Sequence, residues 1–151
     1  MEKFEIIGEN GFVRINLTKV LGFPETTSAF GGYDTESTIE IKSSNYYVKG
    51  LVWITTGNIF DFFQELEKCQ KNLNGTARLE SYEKNLLLTV EYDESGHVMV
   101  KGKFIENYME KNILDFEISG DQTFMNSAIN ELENIYKKYG DNKGIKTAAK
   151  L

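Results

Sequence analysis

The segment "NIFDFFQELEKCQKNLNGTARLES", Asn58 to Ser81, changes its hydrophobic period partway along, and with it the structure it can build. Up to Leu73 the apolar residues Ile59, Phe62, Phe63, Leu66, Cys69 and Leu73 recur at steps of three and four, with Asp61, Glu65 and Lys68 outside that stripe. Such spacing lines one face of an α-helix. Asn58 is a candidate N-cap, and "NLNG", Asn72 to Gly75, supplies the stop. Beyond it "ARLES" alternates apolar and polar residues, the period of a half-buried strand.

A second helical stripe runs through "TFMNSAINELENIYKKYG" as Phe124, Ala128, Ile129, Leu132, Ile135, Tyr136 and Tyr139. Asp121 or Thr123 would cap its start, and Lys137, Lys138 and Gly140 suit its end. The rest reads as strand. "RINLT", "STIEIKS", "NLLLTVEY", "HVMVKGKF" and "ILDFEIS" alternate, with Ile39 and Ile41 opposite Glu40 and Lys42, and Val98, Val100 and Phe104 opposite Met99, Lys101 and Lys103. Turn chemistry at Glu9-Asn10-Gly11, Ser43-Ser44-Asn45, Glu83-Lys84-Asn85 and Glu94-Ser95-Gly96 separates neighbouring strands by only a few residues. Short turns make hairpins, so the pairing is antiparallel.

The expected fold class is α+β: a twisted antiparallel sheet of about eight strands, two helices packed on one face, in the order ββββα-ββββα. "YVKG" at Tyr47 to Gly50 echoes "MVKG" at Met99 to Gly102, an architectural repeat at most. Residues 1–139 are expected to form a single domain and residues 140–151 a flexible basic tail. Tyr47, Leu51 and Trp53 oppose Val48, Val52 and Ile54, so this strand is apolar on both sides. Its second side needs cover from the curving sheet itself, a partner or a second copy.

With 151 residues, 40% of them hydrophobic and 26% charged, the chain is large and apolar enough for one unstapled core. Its one cysteine, Cys69, forms no internal disulfide, and no stretch has the apolar length of a signal peptide or membrane span. A cytoplasmic location is expected. The formal charge is −6, but the +2 tail, residues 140–151, leaves −8 on residues 1–139. An acidic body repels nucleic acid and membrane surfaces and attracts a basic partner, although solubility alone also calls for charge.

Catalytic chemistry is sparse. His97 is the one histidine and stands at a turn; Cys69 falls on the apolar stripe of a helix; and Glu40, Glu80, Glu91, Asp115 and Glu117 occupy polar phases of strands. No cofactor or metal is expected. The loop "FPETTSAFGGYDTES", Phe23 to Ser37, has three carboxylates and neither lysine nor arginine, so it has no phosphate cradle to offer. A hydrolase site would need polar groups converging in a cleft.

Longer words carry a resemblance. "FPETTSAFGGYD", the run from "IFDFFQELEKC" through "LNGTARLES" to "GHVMVKGKF", and "LDFEISGDQTFMNSAINELENIYKKY" together resemble the WapI-type immunity proteins over about Phe4 to Tyr139. Where that family tends to carry a tryptophan after Tyr33-Asp34, this chain has Glu36-Ser37-Thr38. The resemblance implies a small bacterial cytoplasmic protein, encoded beside a wall-associated polymorphic toxin, which performs no chemistry. It would bind a cognate toxin domain, often an RNA-degrading nuclease, and block its active site. A nuclease cleft tends to be basic, which suits the acidic body. Glu25, Tyr33, Asp34 and Glu36 in the first loop, with Asp93 and Glu94 at the later turn, are the expected partner-binding residues. The alternative is a small-ligand-binding or self-associating domain, monomer or homodimer, that uses the apolar face around Tyr47 and Trp53.

Overall fold

In the computed structural model residues 1–145 are described. The elements run β1 (Glu2–Gly8), β2 (Gly11–Val20), β3 (Thr35–Ser43), β4 (Tyr46–Val52), α1 (Thr56–Asn72), β5 (Gly75–Glu80), β6 (Leu86–Tyr92), β7 (His97–Ile105), β8 (Ile113–Asp121) and, after a 3₁₀ turn at Gln122–Phe124, α2 (Met125–Tyr139). The order ββββα-ββββα and the antiparallel pairing are as expected, but the eight strands form two sheets of four, β1-β2-β3-β4 and β5-β6-β7-β8. They meet where the Glu9 N–H donates to the Ser119 carbonyl at 2.8 Å and the Ser43 hydroxyl to the Glu117 carbonyl at 3.0 Å. Isolated contacts of this kind join two sheets without extending a ladder.

Each helix follows one sheet and packs beside the outer strand of the other, α1 against β5 and α2 against β1. Free backbone donors on those strands invite another chain, and the helices occupy them. Glu65 of α1 accepts from the Arg78 N–H at 2.9 Å, and Glu131 of α2 accepts from the Glu5 N–H at 3.0 Å. The two halves therefore interlock around one core. Phe4, Ile15, Ile39 and Ile41 of the first sheet share it with Leu88, Val100 and Phe104 of the second and with Phe62, Leu66, Leu132 and Ile135 of the helices.

The start of α1 differs from expectation by one turn. Thr55 is the N-cap, its hydroxyl accepting from the Asn58 N–H at 3.1 Å while the Asn58 carboxamide accepts from the Thr55 N–H at 3.0 Å. Asn58 is the reciprocal partner in a capping box, a role its amide fills as readily as the cap itself. At the other end Leu73, with φ 51°, takes the left-handed conformation that closes the helix. Asp121 caps the 3₁₀ turn, accepting from the Thr123 N–H at 2.8 Å.

The outward side of the first sheet is held by charge. Arg14 pairs with Glu5 and, at 3.4 Å, with Glu40, and the Tyr47 hydroxyl donates to Glu40 at 2.7 Å. No sheet folds over this side among the described residues: Tyr47, Leu51 and Trp53 are all exposed.

Where α2 ends, Lys138 at 2.9 Å and the Tyr139 hydroxyl at 2.5 Å both reach Glu2 of β1. Burial, then the hydrogen bond to Glu2, pushes the Tyr139 phenol up to about 12. An acid raised by folding keeps its proton where the unfolded chain has lost it, so its contribution is complete below the unfolded value and disappears as pH rises through the folded one. Stability is expected to fall between about pH 10 and about pH 12. Urea midpoints measured across that range should fall less steeply in Tyr139→Phe; an unchanged slope would remove Tyr139 as the cause.

Candidate partner-binding site

The Phe23–Ser37 loop is a strap, pinned from both sides. Tyr33 is 1% exposed, with its ring edge-on to Phe23 at 5.2 Å and near Tyr139 at 6.5 Å. Its N–H donates to the Thr56 hydroxyl at 2.8 Å and its carbonyl accepts from the Thr56 N–H at 2.9 Å. Tyr33 is therefore a core residue and presents no ring to a partner, which corrects its expected role. The reason is local: Gly31 and Gly32, both at positive φ, let the backbone come down onto Thr56 and Gly57, carrying the next side chain inward. Of the tail expected over residues 140–151, residues 140–145 lie against this strap. The Gly32 N–H donates to the Asn142 carbonyl at 2.6 Å and the Ile145 N–H to the Tyr33 hydroxyl at 3.3 Å. Residues 146–151 lie outside the described residues.

The aromatic ring that the strap does expose is Phe30, 59% accessible and stacked on Tyr82 at 4.6 Å and 10°. Tyr82 belongs to the β5–β6 turn, and burial followed by the charges of Asp34 and Glu83 raises its phenol above the ordinary value. Those two carboxylates are thus its neighbours. The carbonyl of Glu83 accepts from the hydroxyl of Tyr108 in the β7–β8 loop at 2.5 Å. Tyr108 in turn shares a cavity of about 440 Å³ with Leu51, Trp53 and Glu106. The exposed Phe30, Tyr108, Trp53 and Leu51 and the partly buried Tyr82 are thus linked in a run over three loops and the end of β4. Glu36 joins it, since Glu36 and Trp53 each lie one residue beyond the paired Ser37 and Val52.

The predicted residues divide between two ends of the molecule. Asp34, half-buried, and Glu36, exposed, border the aromatic run; Glu25 is exposed elsewhere on the strap. Asp93 and Glu94 are exposed at the β6–β7 turn, at the far end of the seven-residue strand β6, roughly 20 Å away. Asp93 serves that turn itself, accepting from the Ser95 N–H at 2.8 Å and the His97 N–H at 3.0 Å. Slight desolvation works upward on its carboxyl, but these donors and His97 hold it below the usual range. A wider concavity of about 640 Å³ lies beside this turn, lined by Glu9, Glu91, Asp93, Lys101 and Glu117. It has charge and little aromatic surface.

Tyr47 and Trp53, the alternative apolar face, have separate surroundings: Tyr47 completes the Glu5–Arg14–Glu40 ladder, whereas Trp53 belongs to the aromatic run. Phe30, Tyr82 and Tyr108 escaped the sequence reading because they stand in turns, where no period marks the buried side. Their signal was compositional: "SYEKN" and "ENYMEKN" each place a tyrosine among charged turn residues, where a burial-driven pattern has no use for it.

The cysteine and histidine positions are also settled. Cys69 is 5% exposed, and burial, with Glu65 adding to it, pushes its thiol above the ordinary value. His97 is exposed and lies 3.5 Å from Asp93. Among the described residues no group of three or more His, Cys, Asp or Glu side chains could hold a metal ion. Among the same residues no helix is long and apolar enough to cross a membrane. The family model described as "Immunity protein WapI-like family" matches residues 4–140, and no curated protein matches the chain.

Proposed function

The chain belongs to the WapI-like immunity protein family, and from that premise we propose that it neutralises a toxin by binding the toxin's active domain as a stoichiometric inhibitor. The partner is a basic domain, in keeping with the −6 net charge, and an RNA-degrading nuclease suits it because such an enzyme must attract phosphate. The protein would act in the cytoplasm, without catalysis, and would not itself bind nucleic acid or membrane. The aromatic run from Phe30 to Tyr108 supports this reading: interface centres are rich in Tyr, Trp and Phe, ringed by charge.

Expression of the C-terminal domain of the toxin encoded beside this chain tests the proposal. Growth is expected to stop with the domain alone, to return when this chain is co-expressed, and the purified pair should scatter light as a one-to-one complex. Continued killing in the presence of abundant folded chain would overturn it. A second reading has one observation in its favour, that β4 pairs with β3 alone among the named strands and so offers its other edge for self-association. Light scattering of the free chain over a range of concentrations separates the two: pairing through β4 gives a dimer, inhibition alone a monomer.

A further inference from the structure

The cavity beside Trp53 has a makeup that selects its occupant. Leu51, 55% exposed, and Trp53, 42% exposed, come from the end of β4, and Tyr108, 62% exposed, from the β7–β8 loop. Among the side chains lining the cavity, Glu106 alone is charged. The polar groups around it are already committed. The Asn85 carboxamide donates to the Leu51 carbonyl at 3.0 Å and faces the Ser81 hydroxyl at 3.0 Å, while the Asn107 oxygen accepts from the Met109 and Glu110 N–H groups at 2.8 and 2.9 Å. These bonds hold the walls in place before anything binds. No ion pair or hydrogen bond engages the Glu106 carboxylate among the described residues, so the cavity keeps one anionic acceptor beside two aromatic rings.

That combination suits a cation on an apolar stem. Aromatic faces attract a guanidinium or ammonium group, guanidinium the more because it is planar and weakly hydrated, and a carboxylate receives its N–H donors in a fork. A volume of about 440 Å³ is ample for one long side chain. We propose that this cavity receives a single arginine side chain of the toxin domain, its stem on Leu51, its guanidinium against Trp53 and Tyr108, and its charge paired with Glu106. The proposal deepens the toxin-binding reading and rests on it, since it assigns one point of recognition within the surface described above.

Trp53 is the chain's one tryptophan, so its indole N–H gives a single resonance that reports on the cavity. The full chain, labelled with ¹⁵N, is titrated with N-acetyl-arginine amide and separately with N-acetyl-citrulline amide, which has nearly the same shape without the charge. A saturable shift of the Trp53 indole is expected with the arginine compound, at a dissociation constant on the order of 1 mM for so small a ligand. Citrulline in place of arginine, or Glu106→Gln in the protein, should weaken that binding at least about fivefold. No saturable shift, equal response to citrulline, or unchanged binding by Glu106→Gln would each overturn the proposal. Because the titration uses no toxin, these failures leave growth rescue untouched, and a failed rescue leaves the titration untouched.

Discussion

Replacing Gly32 by alanine is expected to lower the unfolding free energy by about 3 kcal/mol, a large share of what a domain of this size has. Two independent penalties combine at this residue. Its φ of +65° is a conformation that side chains resist, and an added Cβ would lie 2.3 Å from the Gly57 nitrogen and 2.4 Å from the Thr56 hydroxyl oxygen. Neither neighbour can yield cheaply. Thr56 is hydrogen-bonded to both the N–H and the carbonyl of Tyr33, and a Cβ on Gly57 would meet the Gly31 carbonyl at 2.5 Å. Moving the strap away would also withdraw Tyr33 from Phe23 and Tyr139, whose rings stand 4.9 Å apart. Urea unfolding followed by circular dichroism should show a lower midpoint with an unchanged slope. The exposed neighbour Ala29, changed to serine, should stay within about 0.5 kcal/mol. Native stability in Gly32→Ala would mean that the strap does not press on the start of α1.

That strap also marks the limit of what the sequence made legible. Strands and helices declared themselves because each buries one side, and burial writes a period of two or of three to four into the residues. Ile39 and Ile41, or Phe62 and Leu66, could be placed indoors from spacing alone, and the hairpin turns then fixed the antiparallel order. A strap has no period. Of Phe30 and Tyr33, three residues apart, only Tyr33 was expected to touch a partner, yet Phe30 is 59% exposed and Tyr33 1%. What separates them is the approach of Gly31 and Gly32 to Gly57, a contact between segments distant in sequence.

The division into two sheets was hidden for a related reason. Hairpin signals say which neighbours pair, but they are silent on whether the first strand of one half meets the last strand of the other. Here the turn that ends β1 touches β8 through the Glu9–Ser119 bond without joining its ladder. The crossing of the helices was equally invisible, although its consequence is chemical: Glu65 and Glu131, polar positions on the two helices, serve as acceptors for strands of the opposite halves. The family was more legible than the site. The family words spanned most of the chain and the family model matches residues 4–140, whereas the residues suspected of touching a toxin came from loops and fall at two separate ends.

The second large effect is expected at the aromatic run. Trp53→Ala together with Tyr108→Ala should weaken the complex with the toxin domain at least about 100-fold, because a few large, desolvated aromatic side chains dominate most interfaces. The fold should survive the pair of changes. Both rings are substantially exposed, and the β7–β8 loop is closed independently by the Asn107 oxygen and by the Glu106 N–H to the Asn112 carbonyl at 3.1 Å. The loss should appear in the dissociation rate, since the contacts removed are short-ranged. Carboxylates act differently. Glu25, Asp34 and Glu36 changed together to alanine should mainly slow association, roughly 10-fold at low salt and less as salt is raised, because exposed charges steer an encounter that screening then weakens. Surface plasmon resonance at two ionic strengths resolves both rates. If the aromatic pair costs less than about threefold while the carboxylates carry the affinity, the toxin docks by charge alone, and the acidic concavity beside Asp93 becomes the better site.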